Sequence, residues 1–151
     1  MVYSTIVRNK VRSTFDQINS GNYQAMIDSL GTPFEYVFHG EHALGGRRVS
    51  KDAMTRWWKR TFSVLPGAKF DVREVLVNGG PWNTRVAVRS HVSGPLPDGR
   101  RYENTMFQFM TLKWGKVVSV ETVEDLQVLE RALRAVADAG NEEALAAPIN
   151  G

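Results

Sequence analysis

Apolar residues recur every three or four positions in several segments of the chain, a spacing that predicts amphipathic helices. The first helix is expected over residues 4–18, because Asn19-Ser20-Gly21 supplies a glycine that tolerates a left-handed cap. A short helix follows Asn22, a third begins at Ser50 or Lys51 and stops near residue 65, and a last one follows Asp125. The apolar positions are Val7, Val11, Phe15 and Ile18; Tyr23, Met26, Ile27 and Leu30; Met54, Trp57, Trp58 and Phe62; and Leu126, Leu129, Leu133 and Val136.

Other stretches alternate between apolar and polar residues or are continuously apolar, which predicts strands. They cover residues 34–39, 69–77, 85–92, 102–112 and 116–124, with a loop over residues 40–46 and turn signals at 78–81, 94–99 and 113–116. Consecutive hairpins give an antiparallel sheet, and helices segregated to one side of it define the α+β class. We expect one domain over residues 1–140 and a flexible C-terminal tail over residues 141–151.

Composition limits the class of protein without indicating a reaction. With 151 residues, 42% of them hydrophobic and 23% charged, the chain has the make-up of a globular domain. It contains no cysteine, which excludes disulfides, thiolate metal sites and cysteine nucleophiles. No apolar run approaches the roughly 20 residues that span a bilayer, and the first residues lack the features of a signal peptide. We therefore expect a cytoplasmic protein with no membrane partner.

A basic patch with two tryptophans raises the question of nucleic-acid binding. It comprises Arg47, Arg48, Lys51, Arg56, Lys59 and Arg60, interrupted by Trp57 and Trp58. Phosphates on the arginines and bases stacked on the tryptophans would make a nucleic-acid site. An amphipathic helix with a solvated basic face and buried tryptophans explains the same pattern, and no groove-reading motif accompanies it. We prefer the helix and expect no nucleic-acid partner.

Several short features along the chain together resemble those of one superfamily. They are the helix break at residues 18–23, the strand after Pro33, the Gly45-Gly46 pair before the third helix, Tyr102-Glu103-Asn104, the turn at residues 114–118, and Asp125 ahead of the last helix. In these features the chain resembles the NTF2-like superfamily, and within it the SnoaL-like polyketide cyclases and ketosteroid-isomerase relatives. The resemblance implies a cone-shaped, curved, antiparallel or mixed sheet wrapped around about three N-terminal helices, with an extra C-terminal helix. It also implies a homodimer and an apolar cavity for a small hydrophobic ligand.

The resemblance implies catalytic positions that can be compared with this sequence. The carboxylate base of ketosteroid isomerases falls on Phe38, their helix tyrosine on Thr14 and their oxyanion acid near Phe107, so that mechanism is lost. A shift of one residue would make His39 the base, and histidine is a competent base near neutral pH. The aspartate that SnoaL-type cyclases have at the close of the last strand matches Asp125. We therefore take Asp125 and His39 as the candidate catalytic residues.

Both candidates have an alternative role. A carboxylate at a strand end, beneath the mouth of a barrel, would be desolvated and suited to proton transfer. Aspartate is equally a favoured N-cap, and Leu126 begins the apolar pattern of the last helix, so Asp125 is also a capping candidate. Period-two alternation places His39 on the face opposite Tyr36 and Phe38, where it would be a surface residue unless a bulge intervenes.

Residues expected to contact a ligand lie on the same elements. The candidates are Tyr36, Phe38, Trp57, Trp58, His91, Tyr102, Asn104, Phe107 and Glu121. Glu121 shares parity with Asp125, so it forms either a carboxylate pair in the pocket or part of a charged outer face. His39, Glu41 and His42 do not have a recognised metal-ligand spacing, and no phosphate loop or dinucleotide fingerprint occurs. We expect neither a metal nor a cofactor.

Two functions remain open from the sequence. The first is a cofactor-independent isomerase, cyclase or dehydratase that acts on a hydrophobic carbonyl or polyketide-like compound by acid/base chemistry. The second is a non-catalytic module that binds an apolar ligand or a protein partner. Apolar residues on both faces of residues 107–112 predict that the convex face of the sheet is also buried, which indicates a homodimer.

Overall fold

A computed structural model describes residues 2–151 of the chain. Its α-helices are α1 (Val2–Asn19), α2 (Gln24–Asp28), α3 (Lys51–Val64) and α4 (Leu126–Asp138), followed by a 3-10 turn at Glu142–Leu145. The helix predictions are confirmed to within two or three residues at each end, except that Leu30 belongs to a strand. Helix α3 begins where expected because the Ser50 side chain accepts a hydrogen bond from the Ala53 N–H, at 3.1 Å.

The strands form one mixed sheet. They are β1 (Leu30–Phe38), β2 (Gly46–Arg48), β3 (Lys69–Asn78), β4 (Thr84–Pro95), β5 (Arg101–Lys113) and β6 (Lys116–Glu124). The spatial order is β2-β1-β6-β5-β4-β3; β1 and β6 are parallel and the other neighbours are antiparallel. The predicted α+β class with a mixed sheet is confirmed. Strand β2 lies where the sequence predicted the end of a loop, because a three-residue edge strand leaves no alternation to detect.

Strict alternation along β5 separates an inner face from an outer face. Tyr102, Asn104, Met106, Gln108, Met110 and Leu112 are buried, whereas Glu103, Thr105, Phe107 and Phe109 are exposed. Strand β6 has the same inward alternation, since Gln108 is opposite Thr122 and Met106 is opposite Glu124. Side chains of the inner face meet those of α1 and α3, so the sheet curls around these helices and encloses the protein interior.

The two tryptophans of α3 are core residues. Trp57 donates its indole N–H to the Leu44 carbonyl at 2.8 Å and packs on Tyr36, with ring centroids 5.2 Å apart. Trp58 forms a cluster of mutually stacked rings with Tyr23 and Phe62, with all three centroid distances between 5.8 and 6.3 Å. Both indoles are therefore buried rather than presented to solvent, as the amphipathic interpretation of the basic patch predicted.

The C-terminal segment, residues 141–151, packs against the edge of the sheet and differs from the expected flexible tail. Ile149 is buried, and its carbonyl accepts a hydrogen bond from the buried Arg48 guanidinium at 2.8 Å. The Asn150 side chain accepts from the Arg47 N–H at 2.9 Å. These partners come from β2, about one hundred residues earlier, so the local sequence holds no signal for them.

Within residues 2–151, no helix combines the length and the apolar content that crossing a lipid bilayer requires.

Candidate functional site

An apolar cavity of about 90 Å³ lies between the inner face of the sheet and helices α1 and α3. Its walls include methionine side chains, which are flexible and can adapt to ligands of different shape. Among the described residues that line it, Glu124 carries the only carboxyl group. The lining residues most relevant to chemistry are Tyr36, Phe38, Trp57, Trp58, Met106, Gln108, Met110, Tyr102, Thr122 and Glu124.

Glu124 is the last residue of β6 and points inward, where it meets the start of β5. The Tyr102 hydroxyl donates a short hydrogen bond to the Glu124 carboxylate. Asn104 donates from its amide to the Tyr102 oxygen at 2.8 Å and to the Asp125 carbonyl at 3.0 Å. The Asn104 side-chain oxygen also accepts from the Asp125 N–H at 3.3 Å. Asn104 therefore ties the end of β6 to β5 and fixes the carboxylate beside the phenol.

Burial controls the acidity of this pair. Desolvation raises the pKa of Glu124 from 4.5 to about 7, and the hydrogen bond from Tyr102 opposes that shift only in part. The pKa of Tyr102 lies far above its usual value because of burial, the nearby Glu124 charge and the hydrogen bond to it. Tyr102 therefore remains a donor at every physiological pH, whereas Glu124 can gain or lose a proton near neutrality. A group that titrates near the working pH is suited to general acid/base catalysis.

A second polar cluster lies further along the same two strands. It is centred on Gln108 and Thr122, and Thr122 is the inward-facing residue of β6 next to Glu124. Gln108 donates from its amide to the Thr122 hydroxyl at 3.0 Å and to the Tyr36 hydroxyl at 3.4 Å. Burial raises the pKa of Tyr36, so this phenol also keeps its proton. Thr122 and Glu124 are two residues apart on β6, which corresponds to about 7 Å. The two polar groups are therefore separated by roughly the width of one ring of a small molecule.

The structure places the Asp125 carboxylate outside the cavity. Its side chain is exposed and accepts hydrogen bonds from the Gln127 and Val128 N–H groups at 3.0 and 3.4 Å, as the N-cap of α4. This corrects the expectation that Asp125 lies beneath the mouth of the barrel. The inward position belongs to Glu124, which sequence reasoning missed. The inward alternation of Val120 and Thr122 on β6 continues to Glu124 and was the available signal.

Four other candidate residues point away from the cavity. His39 and Glu121 form an exposed pair on the outer face of the sheet, 2.9 Å apart, and His91 lies 3.4 Å from the Glu103 carboxylate on that face. Phe107 is 53% exposed. Successive residues of a strand face opposite sides, so His39 follows the inward Phe38 outward and cannot join Glu124.

The remaining candidates do surround the cavity. Tyr36, Phe38, Trp57, Trp58 and Tyr102 line it, and Asn104 lies directly behind Tyr102. Among the histidine, aspartate and glutamate residues in the described part of the chain, no group of three could hold a metal ion.

Comparison with solved structures shows an NTF2-like fold. An NTF2-like protein of unknown function from Burkholderia pseudomallei superposes with a TM-score of 0.70 at 14% identity, covering 83% of this chain and 95% of that chain. TerC, crystallised with polyporic acid, has a TM-score of 0.69 at 16% identity, with coverage of 82% and 95%. IdmH of Streptomyces antibioticus, for which a polyketide cyclase activity is suggested, has a TM-score of 0.68 at 18% identity, with coverage of 86% and 97%.

The sequence itself identifies the family. The profile of the SnoaL-like domain matches residues 11–120, which is most of the chain, and the chain belongs to the SnoaL-like family. No curated protein matches it by sequence. The resemblance inferred from the sequence is thus confirmed.

Proposed function

We propose that this SnoaL-like protein is a cofactor-independent enzyme that moves a proton on a small hydrophobic carbonyl compound, as in an isomerase, cyclase or dehydratase. The observation that carries the proposal is Glu124: a buried carboxyl group with a pKa of about 7 in the wall of an apolar cavity, hydrogen-bonded to Tyr102. The co-crystal of TerC with polyporic acid and the cyclase activity suggested for IdmH support a carbonyl or polyketide-like substrate.

The arrangement suits abstraction of a proton from a carbon atom next to a carbonyl group. Ionised Glu124 takes this proton, and the electron pair moves to the carbonyl oxygen to give an enolate. Tyr36, protonated and about one ring width away, is placed to donate a hydrogen bond to that oxygen. Glu124 then returns the proton to the same or another carbon. Asn104 has a positioning role, since it holds Tyr102 against the carboxylate.

The pH dependence of proton exchange tests this function. Beta-tetralone, a bicyclic ketone with acidic protons next to its carbonyl, is incubated with the protein in D₂O, and deuterium uptake is followed by NMR. Because the base must be ionised, we expect the catalysed rate to rise with pH and level off above about pH 7, the pKa of Glu124. Deuterium uptake that is no faster with the protein than in buffer alone, between pH 5 and 9, would contradict the proposed enzymatic function.

A non-catalytic ligand-binding module is the second candidate, and the small cavity favours it. The volume of about 90 Å³ is below the roughly 150 Å³ of an engineered cavity that binds benzene. Even a ligand of one ring therefore requires the cavity to expand, and Met106 and Met110 are the flexible wall residues that can move. Saturable binding of beta-tetralone with no deuterium uptake would favour this second function.

We also propose that the protein forms a homodimer through the outer face of its sheet. An outer patch there combines exposed apolar residues with paired charges: Leu76, Phe107, Phe109 and Val123, with His39, Glu74, Arg89 and Glu121. A contiguous apolar surface bordered by charges of both signs is typical of protein interfaces. Both signs lie in one patch, so the patch can pair with a second copy of itself.

A charge introduced into the outer patch should break the dimer. Phe109→Arg would bury two unpaired cations, one from each protomer, and we expect the dimer dissociation constant to increase at least about tenfold. Sedimentation equilibrium at micromolar concentration measures the effect. Trp82→Arg, at a residue that is 64% exposed and outside the patch, is the matched control and should leave the dimer intact. A monomeric wild-type protein would overturn the proposal.

A further inference from the structure

Two side chains in the cavity wall each have a buried polar atom without a hydrogen-bond partner among the described residues. They are the indole nitrogen of Trp58 and the side-chain oxygen of Gln108, on residues that are 3% and 6% exposed. Both residues line the cavity. The neighbouring Trp57 shows the usual situation, since its indole N–H is satisfied by the Leu44 carbonyl.

Gln108 has one unpaired side-chain atom in either orientation of its amide. One polar atom faces the hydroxyl groups of Thr122 and Tyr36, each of which can donate or accept. If the amide were rotated by half a turn, its oxygen would accept from those hydroxyls and its nitrogen would be the atom left unpaired. In both orientations one amide atom remains available to a ligand. A hydroxyl group satisfies either case, because it can both donate and accept.

The indole of Trp58 has a single requirement. Its N–H can only donate, so its partner must be an acceptor such as a carbonyl oxygen. The aromatic contacts with Tyr23 and Phe62 hold the ring in place, and the N–H therefore cannot turn to another acceptor without loss of that stacking. A rigid donor in an apolar wall favours a ligand that brings its own acceptor.

We propose that Trp58 and Gln108 form a polar recognition site for an oxygenated ring compound. A carbonyl of this compound, distinct from the one that faces Tyr36 in the proposed reaction, accepts from the Trp58 N–H, and its hydroxyl pairs with the Gln108 amide. The inference deepens the proposed function, because it rests on a small molecule entering the same cavity, but it requires no proton transfer by Glu124. A pure hydrocarbon of the same shape would leave both groups unpaired in an apolar wall. Sites built this way discriminate strongly against analogues that lack the bonding group.

Three single-ring probes of similar shape distinguish the contributions of the Trp58 and Gln108 hydrogen bonds to affinity. Ethylbenzene has no polar group, acetophenone adds a carbonyl, and para-hydroxyacetophenone adds a hydroxyl. Dissociation constants are measured by isothermal titration calorimetry for the wild type, Trp58→Phe, Gln108→Met and the apolar control Met110→Leu. We expect each added group to tighten binding at least about fivefold in the wild type. Trp58→Phe should remove the gain from the carbonyl, and Gln108→Met the gain from the hydroxyl, while Met110→Leu changes all three affinities equally.

The outcomes of these titrations can be distinguished from a failure of the proposed enzymatic function. The same titrations with Glu124→Gln should preserve both gains even though proton exchange is lost. Equal affinity of the wild type for all three probes would overturn the recognition site, as would gains that survive both Trp58→Phe and Gln108→Met. Thermal unfolding reports the structural role separately: we expect both variants to unfold below the wild-type temperature, because Gln108→Met loses the hydrogen bonds to Thr122 and Tyr36 and Trp58→Phe leaves a void in the core. A marked fall of the unfolding temperature in either variant, with no change in the ratios of the dissociation constants of the three probes, would contradict the proposal.

Discussion

Changing Glu124 to Gln should slow deuterium uptake by beta-tetralone at least about 100-fold relative to the wild type, when both are measured at pH 8. Glutamine has almost the same size as glutamate, and its side-chain oxygen can still accept the hydrogen bond from Tyr102. What it lacks is a site that takes up and releases a proton near neutral pH. The variant thus removes the proposed chemistry and retains the packing of the cavity wall. NMR under the conditions used for the wild type gives the rate.

The neighbouring carboxylate provides a matched control. Asp125→Asn makes the same chemical change one residue away, and asparagine caps helices about as well as aspartate, so the start of α4 is preserved. We expect its exchange rate to remain within about twofold of the wild type. The opposite pattern, with exchange lost in Asp125→Asn and retained in Glu124→Gln, would restore the assignment made from the sequence. Retention in both variants would show that neither carboxylate is the base.

The elements that the sequence predicts well are those with a long periodic pattern. Helices α1 and α4 each carry one apolar stripe, and β5 alternates over its whole length, so local residues are sufficient to define them. The errors fall where distant contacts decide. Leu30 follows the stripe of α2 but pairs with Val117 as part of β1. The C-terminal segment is held by Arg47 and Arg48, which no local pattern indicates.

The site illustrates how small a difference separates the correct residue from the wrong one. Glu124 and Asp125 are adjacent acids where a strand ends and a helix begins, and both roles, inward carboxylate and N-cap, must be filled there. Alternation along β6 decides which acid points inward, because Val120, Thr122 and Glu124 are successive buried positions and Asp125 then begins the helix cap. The sequence reasoning went wrong because it compared Asp125 with the aspartate of the SnoaL-type cyclases and did not follow this alternation to the end of the strand. Alternation places Tyr102 and Asn104 on one face of β5 and Phe107 on the other, but only the packing of the helices shows that the face of Tyr102 and Asn104 is the inward one.

Glu124→Gln should also make the protein more stable at pH 8, by about 2–3 kcal/mol, because the wild type buries a charge there. The pKa of Glu124 is raised from 4.5 to about 7 on folding, so the folded state binds this proton more tightly than the unfolded state. Below about pH 4.5 the group is neutral in both states and nothing is lost. As the pH rises from about 4.5 to above 7, the free energy of unfolding of the wild type falls by roughly 3 kcal/mol, at 1.36 kcal/mol per pKa unit. Glutamine cannot ionise and avoids this loss.

Urea unfolding at pH 5 and pH 8, at one fixed protein concentration, measures the effect as a difference between variant and wild type. Other groups titrate over the same range, but their contributions cancel in that difference when they lie far from the substitution. Glu74→Gln, in the outer patch, is the control: its carboxylate is half exposed and pairs with an arginine rather than a histidine, so its stability relative to the wild type should change by less than about 0.5 kcal/mol between the two pH values. If Glu124→Gln instead gains nothing from pH 5 to pH 8, Glu124 titrates as an ordinary surface carboxylate. The base proposed for this cavity would then be ionised across the whole range, and the expected rise of the exchange rate through pH 7 would disappear with it.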